Sequence, residues 1–205
     1  GFYFDHDEAA LKHLADAAAK AGIERFVLDD GWFHRRNDDT TSLGDWWPDD
    51  VKYPNGLHPL ADHVTGLGME FGLWVEPEMI NPDSELYRAH PDWALQVAGR
   101  PLITARNQLV LDMGRGEVRD YLYERLAGLL QELPIGYLKW DHNRDLTAAG
   151  ERPSFRQQVL GAYDLFTRLR REFPTVEIEA CAGGGGRIDA GIARFTHRFW
   201  TSDNI

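Results

Sequence analysis

Apolar positions along this chain recur in two periods that take turns. Over residues 7–21, DEAALKHLADAAAKA, Leu11, Leu14, Ala15 and Ala18 fall on one face at helical spacing. Acidic residues open the segment and Gly22 stands where a helix stops, so a helix is predicted there. RFVLDDGW follows, a short β-branched and aromatic run closed by acids and a glycine. The alternation then repeats. Residues 57–66 read as a short helix with Gly66 and Gly68 at its end, and FGLWVEPE is a second apolar run ending in acids. A short helix is expected over 84–90 and a strand at LVLD, 109–112. A long helix is expected over 116–132, with Val118, Tyr121, Leu122, Leu126, Leu129 and Leu130 as its apolar face. Pro134 and Gly136 lead into YLKWD. A helix over 154–173 takes Ser154 as N-cap after Pro153. EIEACAGGGG gives a strand and a glycine turn, and a short helix at 187–194 precedes RFWTSD.

Strands alternating with helices predict an α/β fold with a parallel sheet and helices outside it. A doubly wound sheet and a (β/α)8 barrel both fit that alternation. The polar residues decide between them. Asp29 and Asp30, Glu76 and Glu78, Lys139 and Asp141, Glu179 and Cys181, and Asp203 all fall at the C-terminal ends of strands. A barrel builds its site from several strand ends around one mouth, whereas a doubly wound sheet concentrates it at one switch point. The barrel is therefore expected.

Composition narrows the chemistry. The 205 residues carry 22 basic against 33 acidic side chains, a net charge of −11. Nucleic-acid binding needs clustered Lys and Arg, so that class is set aside, and a neutral or cationic ligand is favoured. Cys181 is the one cysteine, so no intrachain disulfide forms, and a reducing, cytoplasmic location is expected. No apolar run approaches the roughly 20 residues that span a bilayer, and GFYFDHDEAA has no signal-peptide core, so no membrane partner is expected. Aromatics reach 12 %, with seven Trp. Ring faces cover the C–H faces of a sugar, and Trp32, Trp46, Trp47, Trp74 and Trp140 lie in or beside the strand-end segments, where they read as a sugar platform.

The sharpest segment is KWDHN, 139–143. In a strand, residues i and i+2 point the same way. Lys139, Asp141 and Asn143 therefore share one face, the interior of a barrel, while Trp140 and His142 face the helices. A Lys beside Asp141 keeps it ionised, as a carboxylate nucleophile requires. The plainer reading is a buried Lys–Asp pair. Asp203, in FWTSDN, sits beside Phe199 and Trp200, whose desolvation suits it to donate a proton; S-D-N is equally a good helix cap. Asp29 and Asp30 point to opposite faces unless Gly31 turns both inward, and paired carboxylates suit hydroxyl recognition or a divalent metal. No metal-binding spacing accompanies them, and no metal or other cofactor is expected. The GGGG run, 183–186, lacks the residues of a phosphate loop. It reads as a close approach of backbone to ligand, or as a helix start facing the mouth. Cys181 reads as pocket wall rather than nucleophile.

FVLDDGWF (26–33), LGDWWPDDVKYPNGL (43–57), GLWVEPEMI (72–80), LVLDM (109–113), YLKWDHNRD (137–145), CAGGGGRID (181–189) and RFWTSDNI (198–205) together resemble the catalytic barrel of the glycoside hydrolase family 36 α-galactosidases. The resemblance spans nearly the whole chain. It implies a retaining exo-glycosidase acting on terminal α-linked galactose in melibiose- or raffinose-like oligosaccharides, in an enzyme that can be homo-oligomeric. It implies Asp141 as nucleophile and Asp203 as acid/base. It places Asp29, Asp30, Trp74, Arg106, Lys139, Asn143, Cys181 and Gly184 around the sugar. Ala182 stands where the family often has Ser. The strands at 25–29, 70–75, 136–141, 176–181 and 198–203 correspond to barrel strands two to six, with LVLD off the barrel. The chain thus reads as an incomplete barrel that need not fold or turn over alone. Galactosyl transfer, as in raffinose or stachyose synthases, and non-catalytic sugar binding are the other readings.

Overall fold

The computed structural model describes residues 2–147 and 154–204. Helix α1 (Glu8–Lys20) is capped by Asp7, whose carboxylate accepts from the Ala10 N–H at 2.8 Å. There follow β1 (Arg25–Leu28), α2 (His58–Gly66), β2 (Glu70–Val75), β3 (Met79–Ile80), α3 (Glu85–Ala89), β4 (Leu109–Val110), α4 (Gly116–Glu132), β5 (Ile135–Trp140), α5 (Ser154–Glu172), β6 (Glu177–Ala180) and β7 (Arg198–Phe199). Strands β1, β2, β5, β6 and β7 form one parallel sheet in that order. Each strand is added beside its predecessor, so the winding never reverses. A doubly wound sheet reverses at its switch point. The antiparallel pair β3–β4 stands apart from the main sheet, as expected for LVLD.

Burial follows the predicted helix faces. Val118, Leu122, Leu126, Leu129 and Leu130 of α4 are buried, and Tyr121 reaches over to donate to the Gly44 carbonyl at 3.0 Å. On α1, Leu11 and Ala15 are buried but Leu14 is 41 % exposed. The amide of Gln158 on α5 holds the loop after β4 from both sides, donating to the Leu111 carbonyl at 2.7 Å and accepting from the Met113 N–H at 2.9 Å. The two backbones approach so closely that a Cβ on Gly161 would lie 2.0 Å from the Met113 oxygen. Gly161→Ala therefore forces α5 off that loop and is expected to cost about 3 kcal/mol, read as a lowered thermal midpoint.

Several expectations are corrected. The tryptophans form a wall rather than an open platform: Trp32, Trp46, Trp74 and Trp140 are all at most 3 % exposed. Phe33 stacks against Trp74 with centroids 6.3 Å apart and tilts against Trp46 at 4.7 Å, so these rings pack on one another. Only Trp47 and Trp200 stay half-buried. Helix α5 is described from Ser154 onward, and Pro153, which precedes the expected cap, is outside the described residues. Residues 187–194 make one 3-10 turn, Ile192–Arg194, instead of a helix. Gly191 interrupts them, and its backbone packs on Tyr163 so that a Cβ would sit 2.0 Å from the hydroxyl oxygen. The last strand pairs at Arg198–Phe199, its ladder closing with the Trp200 N–H on the Ala180 carbonyl, and the chain then crosses the glycine turn. A Cβ on Gly185 would lie 2.8 Å from the Thr201 oxygen, and one on Gly184 would lie 3.2 Å from the Asp203 nitrogen. The GGGG run thus serves close packing of backbone on backbone and starts no helix.

Candidate active site

The parallel ladder continues past the strand ends and fixes the residues that follow. Asp141 N–H donates to the Val75 carbonyl at 2.8 Å, Cys181 N–H to Trp140 at 2.8 Å, and Trp200 N–H to Ala180 at 2.9 Å. Adjacent strands therefore present Asp29, Trp74, Asp141, Cys181 and Trp200 at one end of the sheet.

The predicted alternation along KWDHN holds. Trp140 faces the helices, its ring 4.2 Å from that of Phe166 on α5, and His142 lies on the same side beside Glu78. Lys139, Asp141 and Asn143 face the other way. Asp141 is 7 % exposed and surrounded by donors. Its Oδ2 accepts from Asn143 Nδ2 at 2.7 Å and Trp74 Nε1 at 3.1 Å; its Oδ1 accepts from the His142 N–H at 2.8 Å and the Gly183 N–H at 3.4 Å. Burial alone would raise its pKa. Hydrogen bonds from Asn143, Cys181, the His142 N–H and Trp74 outweigh burial and hold the carboxyl below its ordinary value. Lys139 makes its direct ion pair with Asp29, at 3.3 Å, and lies 4.7 Å from the centroid of the Trp200 ring; it also attracts the Asp141 carboxylate by charge, without a hydrogen bond to it. Burial disfavours the ammonium, and Asp29 more than restores it.

Gly31 turns at φ +97° and brings both Asp29 and Asp30 to the mouth. They line a cleft of about 700 Å³ together with Arg36, Glu76, Arg106 and Asn143; the cleft also runs along β1 past Phe26 and Leu28, and Asp141 and Asp203 lie outside its lining. Asp30 is gripped bidentately by buried Arg36, at 3.0 and 2.9 Å, and Arg36 is itself held by Asn81 at 3.0 Å. Arg106 is exposed at the rim on a left-handed backbone of φ +51°. Cys181 is buried, and desolvation beside Asp141 pushes its thiol up to about 12, so it stays protonated and forms wall.

Asp203 departs from expectation. It is exposed rather than desolvated by Trp200 and Phe199, because β7 is an edge strand with no further neighbour among the described residues. Its carboxylate accepts from Trp200 Nε1 at 2.8 Å. The glycine turn touches both acids' segments. Gly183 reaches Asp141 Oδ1, and Gly184, at φ +83°, packs under the Asp203 backbone.

Two acids that the sequence placed at a strand end without a role are central to the geometry. Glu78 anchors the wall behind Asp141, accepting from Trp140 Nε1 at 2.9 Å and Arg187 Nη1 at 2.7 Å. Glu76 is wholly buried, and desolvation with Asp141 nearby pushes its carboxyl up to about 8. The only signal for either was the VEPE motif at the end of β2. Among the described residues no cluster of three or more His, Cys, Asp or Glu is arranged to hold a metal ion, and no helix is long and apolar enough to cross a membrane.

The chain as a whole is similar to known proteins. The sequence matches the Melibiase family over residues 1–205. It is 53 % identical over 206 residues to an α-galactosidase of Escherichia coli, covering 100 % of this chain and 29 % of that protein. The crystal structure of the GH36 α-galactosidase AgaA from Geobacillus stearothermophilus superposes with a TM-score of 0.96 at 47 % identity, covering 100 % of this chain and 30 % of that one. A variant of AgaA in complex with stachyose gives a TM-score of 0.95 at 46 % identity, again over 100 % and 30 %. The chain thus spans under a third of the length of the relatives it matches.

Proposed function

The chain belongs to the Melibiase family, and on that premise we propose that it forms the central part of the catalytic (β/α)8 barrel of a retaining α-galactosidase. The observation that carries this reading is Asp141: a buried carboxylate kept ionised by hydrogen bonds at the C-terminal end of a parallel strand. Such a group is an oxygen nucleophile without competing solvent. It attacks the anomeric carbon of a terminal α-galactosyl residue, forming a β-linked galactosyl ester as the leaving oxygen takes a proton from Asp203. Asp203 then removes a proton from water, which displaces Asp141 and releases galactose of retained α configuration.

The other residues supply recognition. Asp29 and Asp30 accept hydrogen bonds from sugar hydroxyls, with Lys139 and Arg36 neutralising their charge. Arg106 lies across the cleft from them, and Trp74, Asn143, Cys181 and Gly184 shape the ground beneath the anomeric carbon. AgaA variants have been crystallised with stachyose and with raffinose, which supports α-galactosides as substrates here. The test uses the full-length protein with raffinose and follows products by proton NMR. Free galactose appearing first as its α anomer is expected. Galactose appearing first as the β anomer would exclude retention, and transfer to added sucrose in place of release would make the protein a galactosyltransferase.

A further inference from the structure

Asn143 donates both hydrogens of its side-chain amide to carboxylates. One goes to Asp141 Oδ2 at 2.7 Å and the other to Glu76 Oε2 at 3.1 Å. Its backbone N–H donates to the second Glu76 oxygen at 2.5 Å. Glu76 thus grips Asn143 at two points. A third donor, Gln108 Nε2, fixes Glu76 Oε2 from the opposite side at 3.0 Å. Both Glu76 and Gln108 are at most 3 % exposed, so water does not compete for these contacts.

The orientation of the Asn143 amide matters because its two ends are chemically opposite. With the nitrogen toward Asp141 it donates and favours the charged carboxylate; turned over, its oxygen would face that charge and repel it. Asp141 alone cannot fix this choice against solvent at the mouth, where Asn143 is half-buried. Glu76, an acceptor on the far side of the same NH2 group, permits only one orientation. Retaining such an acid in a wholly buried place is costly, and here the cost accompanies a defined geometry.

From this we infer that Glu76 is a positioning residue for Asp141, acting through Asn143, with Gln108 holding Glu76 in register. This role rests on Asp141 being the nucleophile of the reaction above. Glu76 touches no reacting atom. Its contribution is to keep the strongest donor to Asp141 aimed while the carboxylate attacks and leaves.

The test is a double-mutant cycle in the full-length protein with an aryl α-galactoside. Glu76→Gln keeps the size and the acceptor for the Asn143 N–H but places an NH2 group against the Asn143 amide. It is expected to lower kcat about tenfold with KM within a factor of two. Asn143→Ala is expected to lower kcat further, and the double variant to equal Asn143→Ala alone. Losses that multiply would overturn the inference, as would a Glu76→Gln enzyme with unchanged kcat. Glu76→Asp, which keeps the carboxyl group and loses the reach, should behave like Glu76→Gln and guards against a folding artefact in either variant. An unmutated protein inactive on every α-galactoside would instead count against the proposed activity. In that case a crystal structure of Glu76→Gln still decides the geometry: Asn143 Nδ2 leaves Asp141 Oδ2 if Glu76 aims it, and its staying in place contradicts the inference.

Discussion

Replacing Asp141 with alanine is expected to lower kcat/KM for an aryl α-galactoside by about 10⁴- to 10⁶-fold, with the fold intact. The size of this loss follows from the role. Without a nucleophile the two-step route closes, and what remains is the rate that binding and the surrounding dipoles supply alone. The donors that surround Asp141 make the prediction specific. Trp74 and the His142 and Gly183 N–H groups all aim at this carboxylate, and only Asn143 is shared, with Glu76. Asp141→Asn should be as inactive as Asp141→Ala, because the amide keeps the shape and loses the charge. Rates measured on purified full-length variants, with circular dichroism as the check on folding, test this. A loss below tenfold would remove Asp141 from the chemistry.

The second large effect belongs to Asp203, and its mark is dependence on the leaving group. Asp203→Ala is expected to lower kcat/KM for raffinose by about 10²- to 10⁴-fold, the range that proton transfer contributes. The loss should be much smaller for a dinitrophenyl α-galactoside, whose leaving oxygen needs no proton. Turnover of that substrate then stalls at breakdown of the β-linked galactosyl ester, and added azide, which needs no general base, should restore it with formation of α-galactosyl azide. Equal losses on both substrates, with no azide effect, would make Asp203 a structural residue. Its hydrogen bond from Trp200 is compatible with the acid/base role, because it engages Oδ1 and leaves Oδ2 for the substrate.

The KWDHN segment was readable because a strand has period 2, and period 2 alone separates Lys139, Asp141 and Asn143 from Trp140 and His142. The single direction of winding was equally readable, from charged residues ending strand after strand. What keeps Asp141 ionised was not. The sequence puts Lys139 two residues away, but the donors come from β2, from the turn after β6 and from Asn143. Lateral register between strands is invisible in a linear pattern. Lys139 meanwhile finds Asp29, 110 residues away in the chain. The tryptophans misled for a related reason. A Trp at a strand end can face the cleft or the packed layer beside it, and four of them turn inward to build the wall. Glu76 carried no distinguishing mark because its importance lies in two partners, Gln108 and Asn143, that are 32 and 67 residues away in the chain.

The central claim is that Asp141 bonds covalently to galactose during turnover. Incubating the full-length protein with 5-fluoro-α-galactosyl fluoride, followed by proteolysis and mass spectrometry, tests it most directly. The fluorine at C5 slows both steps through their oxocarbenium-like transition states, and the good fluoride leaving group keeps ester formation the faster, so the intermediate accumulates. One fluorogalactosyl group on the peptide carrying KWDHN, located at Asp141 and absent from Asp141→Ala, is the predicted result. A label on another carboxylate, or steady turnover of this reagent with no labelled peptide, would contradict the account.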